Sequence, residues 1–172
     1  AYGATIKGGR VGPADREALR QHFASCDEPL FKVLVLHHHL TEIHSLGSHD
    51  VAGQAHKTLD TAADLGVELI LCGHLHISHI EPLTIIPRSH RIVVASAGTA
   101  TSNRWREPTG PTNFYNVVTI EEDAFHVEER RYVPAEDRFV RDSTTRFERV
   151  SARSAERRVG KEWIVKCRSR WS

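Results

Sequence analysis

Phe31-Lys32-Val33-Leu34-Val35-Leu36-His37-His38-His39 and Val67-Glu68-Leu69-Ile70-Leu71-Cys72-Gly73-His74-Leu75-His76 decide how this chain is read. Each is a short, almost wholly apolar run that ends in histidines. Such runs are the mark of strands buried on both faces. Between them, Asp50 to Leu65 reads as a helix: Ala52, Ala55, Leu59 and Ala62 fall on one helical stripe, and Gly66 is the stop. Strand, helix and strand over this length form a βαβ unit, whose strands should run parallel. Parallel neighbours present their carboxyl ends at the same sheet edge, where open α/β sheets place ligands. His37, His38 and His39 leave one strand there, and His74 and His76 leave the other. Topology alone thus joins histidines that lie 35 positions apart in sequence (His39 to His74). Neutral imidazole is the commonest protein ligand for zinc and also suits iron. Gly73 is expected to supply a sharp turn before its two histidines.

Working outward, Gly12-Pro13 followed by Asp15 and Glu17 opens an earlier helix, with Leu19 and Phe23 on one face. Downstream, Ile80–Ile86, Arg91–Ala95, Phe114–Glu121 and Phe125–Val133 read as strands parted by Pro, Gly and Ser clusters. A meander-like, mostly antiparallel sheet is the expectation. No internal repeat is visible. The 172 residues suit one domain, with 40% hydrophobic and 26% charged residues, so collagen, wholesale disorder and low complexity are excluded. No apolar stretch approaches the 18 residues of a membrane span. Cys26, Cys72 and Cys167 fit neither a disulfide framework nor a four-cysteine zinc site, which points to a reducing, cytoplasmic setting. No signal peptide is visible at the start. Of the 12 histidines, nine lie between His37 and His79, so the chemistry is sought there. His22 and His126 sit inside periodic segments and read as structural or exposed. His44, His49, His56, His79 and His90 carry no second signal.

The net charge of +1 hides two unlike parts. Residues 151–172 carry seven Lys and Arg against two Glu, leaving a net negative balance on 1–150. The bland reading of that end is a solvated basic tail, and a sharper one is a nucleic-acid arm. A third reading is preferred: Arg153-Ser154-Ala155-Glu156-Arg157-Arg158-Val159-Gly160-Lys161-Glu162 and Cys167-Arg168-Ser169-Arg170-Trp171-Ser172 resemble a translated sequencing adapter. Residues 153–172 are therefore expected to be a non-native scar and are set aside. The division is 1–150 as domain and 151–172 as tail.

The histidine motifs resemble those of the calcineurin-like metallophosphoesterases. Val35-Leu36-His37-His38-His39 is similar to that family's strand ending in a histidine ligand. Leu69-Ile70-Leu71-Cys72-Gly73-His74-Leu75-His76 is similar to its closing Gly-His-x-His motif. Ala97-Gly98-Thr99-Ala100-Thr101-Ser102 and Phe114-Tyr115-Asn116-Val117 resemble the strands that follow in one bacterial branch. The likeness covers about residues 9–145. It implies an α/β fold: the C-terminal part of a four-layer sandwich, two sheets flanked by helices, with two divalent metal ions (Mn, Fe or Zn) where the strands end. It further implies His38, His74 and His76 as metal ligands, with His37 and His39 as alternatives to His38. Leu40 stands where the family has a proline.

The resemblance also implies hydrolysis of phosphomonoesters or phosphodiesters, cyclic nucleotides among them, by a metal-bound hydroxide. The family's upstream Asp-x-His, Gly-Asp and Asn-His motifs have no counterpart here. Gly47-Ser48-His49-Asp50 mimics the last only in part and in the wrong order. The chain is therefore expected to be the C-terminal half of such an enzyme, inactive alone. Its partner is a small phosphate ester, with neither membrane nor nucleic acid. Two other classes compete: a mononuclear zinc hydrolase on His38, His74 and His76, and a non-catalytic metal-binding protein using the same histidines.

Overall fold

The computed structural model describes residues 9–25, 30–43, 46, 51–86, 90–104 and 112–150. The tail 151–172, His44 and the 47–50 segment lie outside the described residues, and so do the expectations attached to them. Helix α1 spans Pro13–Ala24, with Pro13 in its first turn and Asp15 accepting from the Gly12 amide at 2.7 Å. Strand β1 (Val33–Val35) follows, then helix α2 (Ala55–Asp64) and β2 (Leu69–Cys72). Gly66 ends α2 as expected: it holds a left-handed φ of 71°, and the Val67 amide donates back to the Ala62 carbonyl at 2.9 Å.

Strands β3 (His79–Ile85) and β4 (His90–Ser96) form a hairpin, and β5 (Phe114–Ile120), β6 (Ala124–Val133) and β7 (Arg138–Glu148) a meander. The fold class is α/β with two sheets, one mixed and one antiparallel. The first sheet is ordered β1-β2-β4-β3 and the second β5-β6-β7. As the βαβ reading requires, β1 and β2 are parallel, with Val33, Leu34 and Val35 opposite Leu69, Ile70 and Leu71.

The four later strands do not form one meander. The β3–β4 hairpin joins the βαβ sheet because β4 adds parallel to β2, and only the second hairpin belongs to the other sheet. The burial of β4 explains its choice: Ile92, Val93, Val94 and Ala95 are all at most 1% exposed, so both its faces need cover. Pro82 costs no central ladder bond because β3 is the outer strand of the hairpin. Ala97–Ser102, expected in a strand, forms a loop instead. Gly98 passes so close to Phe114 that an added Cβ would lie 2.9 Å from the Phe114 Cβ. β7 was not read from the sequence, since its run of Arg, Asp, Ser and Thr leaves most side chains exposed.

Strict alternation builds two cores. Ile70 and Cys72 of β2, with Ile92 and Val94 of β4, face Leu59, Ala62 and Ala63 of α2. Leu69, Val93 and Ala95 face the second sheet, where Phe125, Val127 and Phe147 meet them. Helices, mixed sheet and antiparallel sheet are thus the three layers among the described residues. The expectation that β1 is buried on both faces fails at Val35, which is 69% exposed. Val35 is the last residue of β1, which among the described residues is an edge strand paired with β2.

Candidate metal centre

The parallel strands bring the two histidine segments to one edge. The Leu36 amide donates to the Leu71 carbonyl at 2.9 Å, and the Gly73 amide to the His37 carbonyl at 3.1 Å. Pairing therefore continues past the strands into the histidines themselves. His37, His38 and His74 each turn a ring nitrogen into one group, all within 4.8 Å of one another. The ring centroids of His38 and His74 are 4.3 Å apart, and those of His37 and His74 are 5.0 Å apart. His74 Nδ1 and His37 Nε2 lie 3.2 Å apart. Two zinc–nitrogen bonds of about 2.0–2.1 Å at a tetrahedral angle give nearly that separation, about 3.3 Å.

Two of the three expected ligands, His38 and His74, come together. The third member of the group is His37, not His76. His76 Nδ1 donates to the Arg104 carbonyl at 2.6 Å. Its direction follows from the backbone. His74 and His76 both hold left-handed φ values, 68° and 58°, at about 1–2 kcal/mol each for a residue with a Cβ. The sharp turn expected of Gly73 is thus made by the histidines, and Gly73 itself does not adopt a positive φ. Leu75, between them, is 2% exposed and packs with Ile43 and Ile77, which anchors the turn. Strain of this kind, held by a buried anchor, is a mark of functional segments.

His39 has a different task. It is 1% exposed, and its Nε2 lies 3.0 Å from Ser96 Oγ. Because that hydroxyl donates to the Ile77 carbonyl at 2.9 Å, it accepts from His39. His39 therefore ties its loop to the end of β4. Cys72 Sγ lies 3.7 Å from the same ring nitrogen. Burial pushes the Cys72 thiol up to about 12, against a lesser lowering by Ser96, so it stays a neutral thiol rather than a thiolate ligand. The other described histidines serve elsewhere: His56, His79 and His126 pair with Asp60, Glu81 and Glu121, His90 reaches the Val67 carbonyl, and His22 meets the Phe23 ring edge-on.

Gly9 and Arg10 border the site and were not singled out from the sequence. Gly9 holds φ 63°, and a Cβ there would fall 2.3 Å from His38 Nδ1. Its carbonyl accepts from the Gly53 amide at 2.9 Å. A cleft of about 150 Å3 is lined by Arg10, Val11, Leu36, His37, His38 and Ala52. A glycine-rich turn before the first helix was the available signal for Gly9; Arg10 had none.

Three neutral nitrogen donors fit one divalent ion with an open fourth position. They do not fit a carboxylate-bridged pair, since no Asp or Glu belongs to the cluster among the described residues. No protein-family model matches the sequence, and no curated protein does. Solved structures similar to this chain include Vps29 from Entamoeba histolytica complexed with zinc, at 14% identity and TM-score 0.38 over 66% of this chain and 54% of that one. A double mutant of that protein matches at 15% identity and TM-score 0.36 over 55% and 46%. Chaetomium thermophilum Vps29 matches at 10% identity and TM-score 0.37 over 53% and 47%. The chain spans about half the length of these proteins. No helix among the described residues is long and apolar enough to cross a membrane.

Proposed function

We propose that this chain is a metal-binding portion of a metallophosphoesterase-like protein that holds one divalent cation, zinc foremost, on His37, His38 and His74. The observation that carries the reading is the convergence of three imidazole nitrogens within 4.8 Å at the carboxyl ends of two parallel strands. Nitrogen donors without carboxylate favour zinc over manganese. When bound, the ion supplies Lewis-acid polarisation of a water or phosphoryl oxygen. The chain's own residues hold and orient it: Leu75 fixes the turn that aims His74, and Gly9 makes room for His38.

The substrate class is a small phosphate ester, and turnover by these residues alone is negligible. A two-metal phosphoesterase clamps both attacking and leaving oxygens, and one imidazole site leaves half of that clamp unbuilt. The test combines native mass spectrometry with zinc and hydrolysis of bis(4-nitrophenyl) phosphate. One zinc per chain with no turnover above that of free zinc is expected; two ions per chain, or none, would contradict the proposal. The open fourth position favours a second reading, a mononuclear zinc hydrolase. Turnover that is abolished by His74→Ala would select it.

A further inference from the structure

Among the described residues that line the cleft with His37 and His38, Arg10 is the one with a permanent charge, and none is an acid. Its backbone is fixed. Arg10 bridges to Gly53 in parallel register, and its Cβ and Cγ lie against that glycine, 3.5–3.6 Å from where a Gly53 Cβ would stand. On one side Gly9 nests against the His38 ring. On the other, the Val11 carbonyl accepts from Arg16 at 2.6 Å. The nearby acid Asp15 is already engaged at the start of α1, where it accepts from the Gly12 amide. Yet the Arg10 side chain is exposed and makes no hydrogen bond or ion pair among the described residues. Arg16, by contrast, spends its guanidinium on Val11 and Gln54. A held stem with an uncommitted fork, on a residue that lines one cleft with His37 and His38, is an arrangement for recognising an anion.

We infer that Arg10 is the specificity-determining residue of this cleft and pairs with a phosphoryl oxyanion bound beside the imidazole cluster. The inference deepens the metal-site reading and rests on it for the place of binding. A guanidinium fork suits phosphate and carboxylate alike. A phosphate offers more acceptor oxygens and up to two charges, so it can meet the arginine and the cluster together.

The test is calorimetric titration of the full chain with inorganic phosphate, zinc-loaded and zinc-free, with acetate as the competing anion. Wild type is expected to bind phosphate at least tenfold more tightly than acetate. Arg10→Gln should weaken phosphate at least tenfold in both states, and Arg10→Lys should recover part of the loss. Zinc affinity should change less than twofold in either variant. Phosphate binding that ignores Arg10→Gln, absence of phosphate binding in both states, or acetate binding as tight as phosphate would overturn the inference. Failure of wild type to take zinc, with Arg10-dependent phosphate binding intact, would overturn the metal reading and leave Arg10 standing.

Discussion

Gly9 and His38 occupy space that only one of them can fill. With φ 63° and a Cβ position 2.3 Å from His38 Nδ1, Gly9→Ala must either shift its backbone or displace the imidazole. We expect it to cost about 1–3 kcal/mol in urea denaturation and to weaken zinc binding at least about tenfold. Equal affinity in the variant would show that His38 is not positioned by Gly9. Cys72 makes an independent check on burial. With its thiol pushed up to about 12, it should resist a charged thiol reagent in the native protein at pH 8 and react on unfolding, read by mass spectrometry of its peptide. At this scale the sequence reading named His38, His74 and His76, and the cluster among the described residues gathers His37, His38 and His74. The reason is conformational: left-handed φ at His74 and His76 aims the two side chains, and no residue type in Gly-His-x-His announces it. His39, an alternative to His38 in the sequence reading, is set apart by its burial against Ser96.

Elements were more legible than their partners. The βαβ unit followed from two apolar runs and one helical stripe, because periodicity reports local geometry and burial directly. Which sheet the later hairpins join depends on long-range packing, and that was not legible. The expected single meander is instead divided between two sheets. β7 escaped because its pattern is polar, yet its end is tied to the mixed sheet. Glu68, just before β2 and 3% exposed, accepts from the Val150 amide at 2.6 Å and faces Arg149 at 3.6 Å. Arg149 also lies over the Phe31 ring, 5.2 Å from its centroid. Glu68→Ala leaves a largely buried guanidinium without its acid, and we expect it to destabilise the chain by about 3–5 kcal/mol. Chemical denaturation measures this. A loss below about 1 kcal/mol would mean that the pair is as weak as a surface one.

The described residues form a helical layer, a mixed sheet and an antiparallel sheet, with the histidine cluster at the carboxyl ends of β1 and β2. Among the described residues, the buried members of both cores fall within 34–147. The basic composition of 151–172, with Trp163, Ile164 and Val165 as its one apolar cluster, predicts little share in them. A chain ending at Ala152 should keep its stability within about 0.5 kcal/mol, judged from paired thermal midpoints. A large loss would make the tail part of the fold.

Zinc titration of wild type and of His37→Ala, His38→Ala, His74→Ala and His76→Ala reads out the proposed ligand set. A single ion is predicted for wild type. Loss of His37, His38 or His74 should each weaken zinc by more than about 100-fold, beyond the 10–100-fold typical of outer-shell partners, and His76→Ala should leave it within about threefold. Binding that survives His37→Ala but fails in His76→Ala, or no stoichiometric binding by wild type, would rule out a zinc site on His37, His38 and His74.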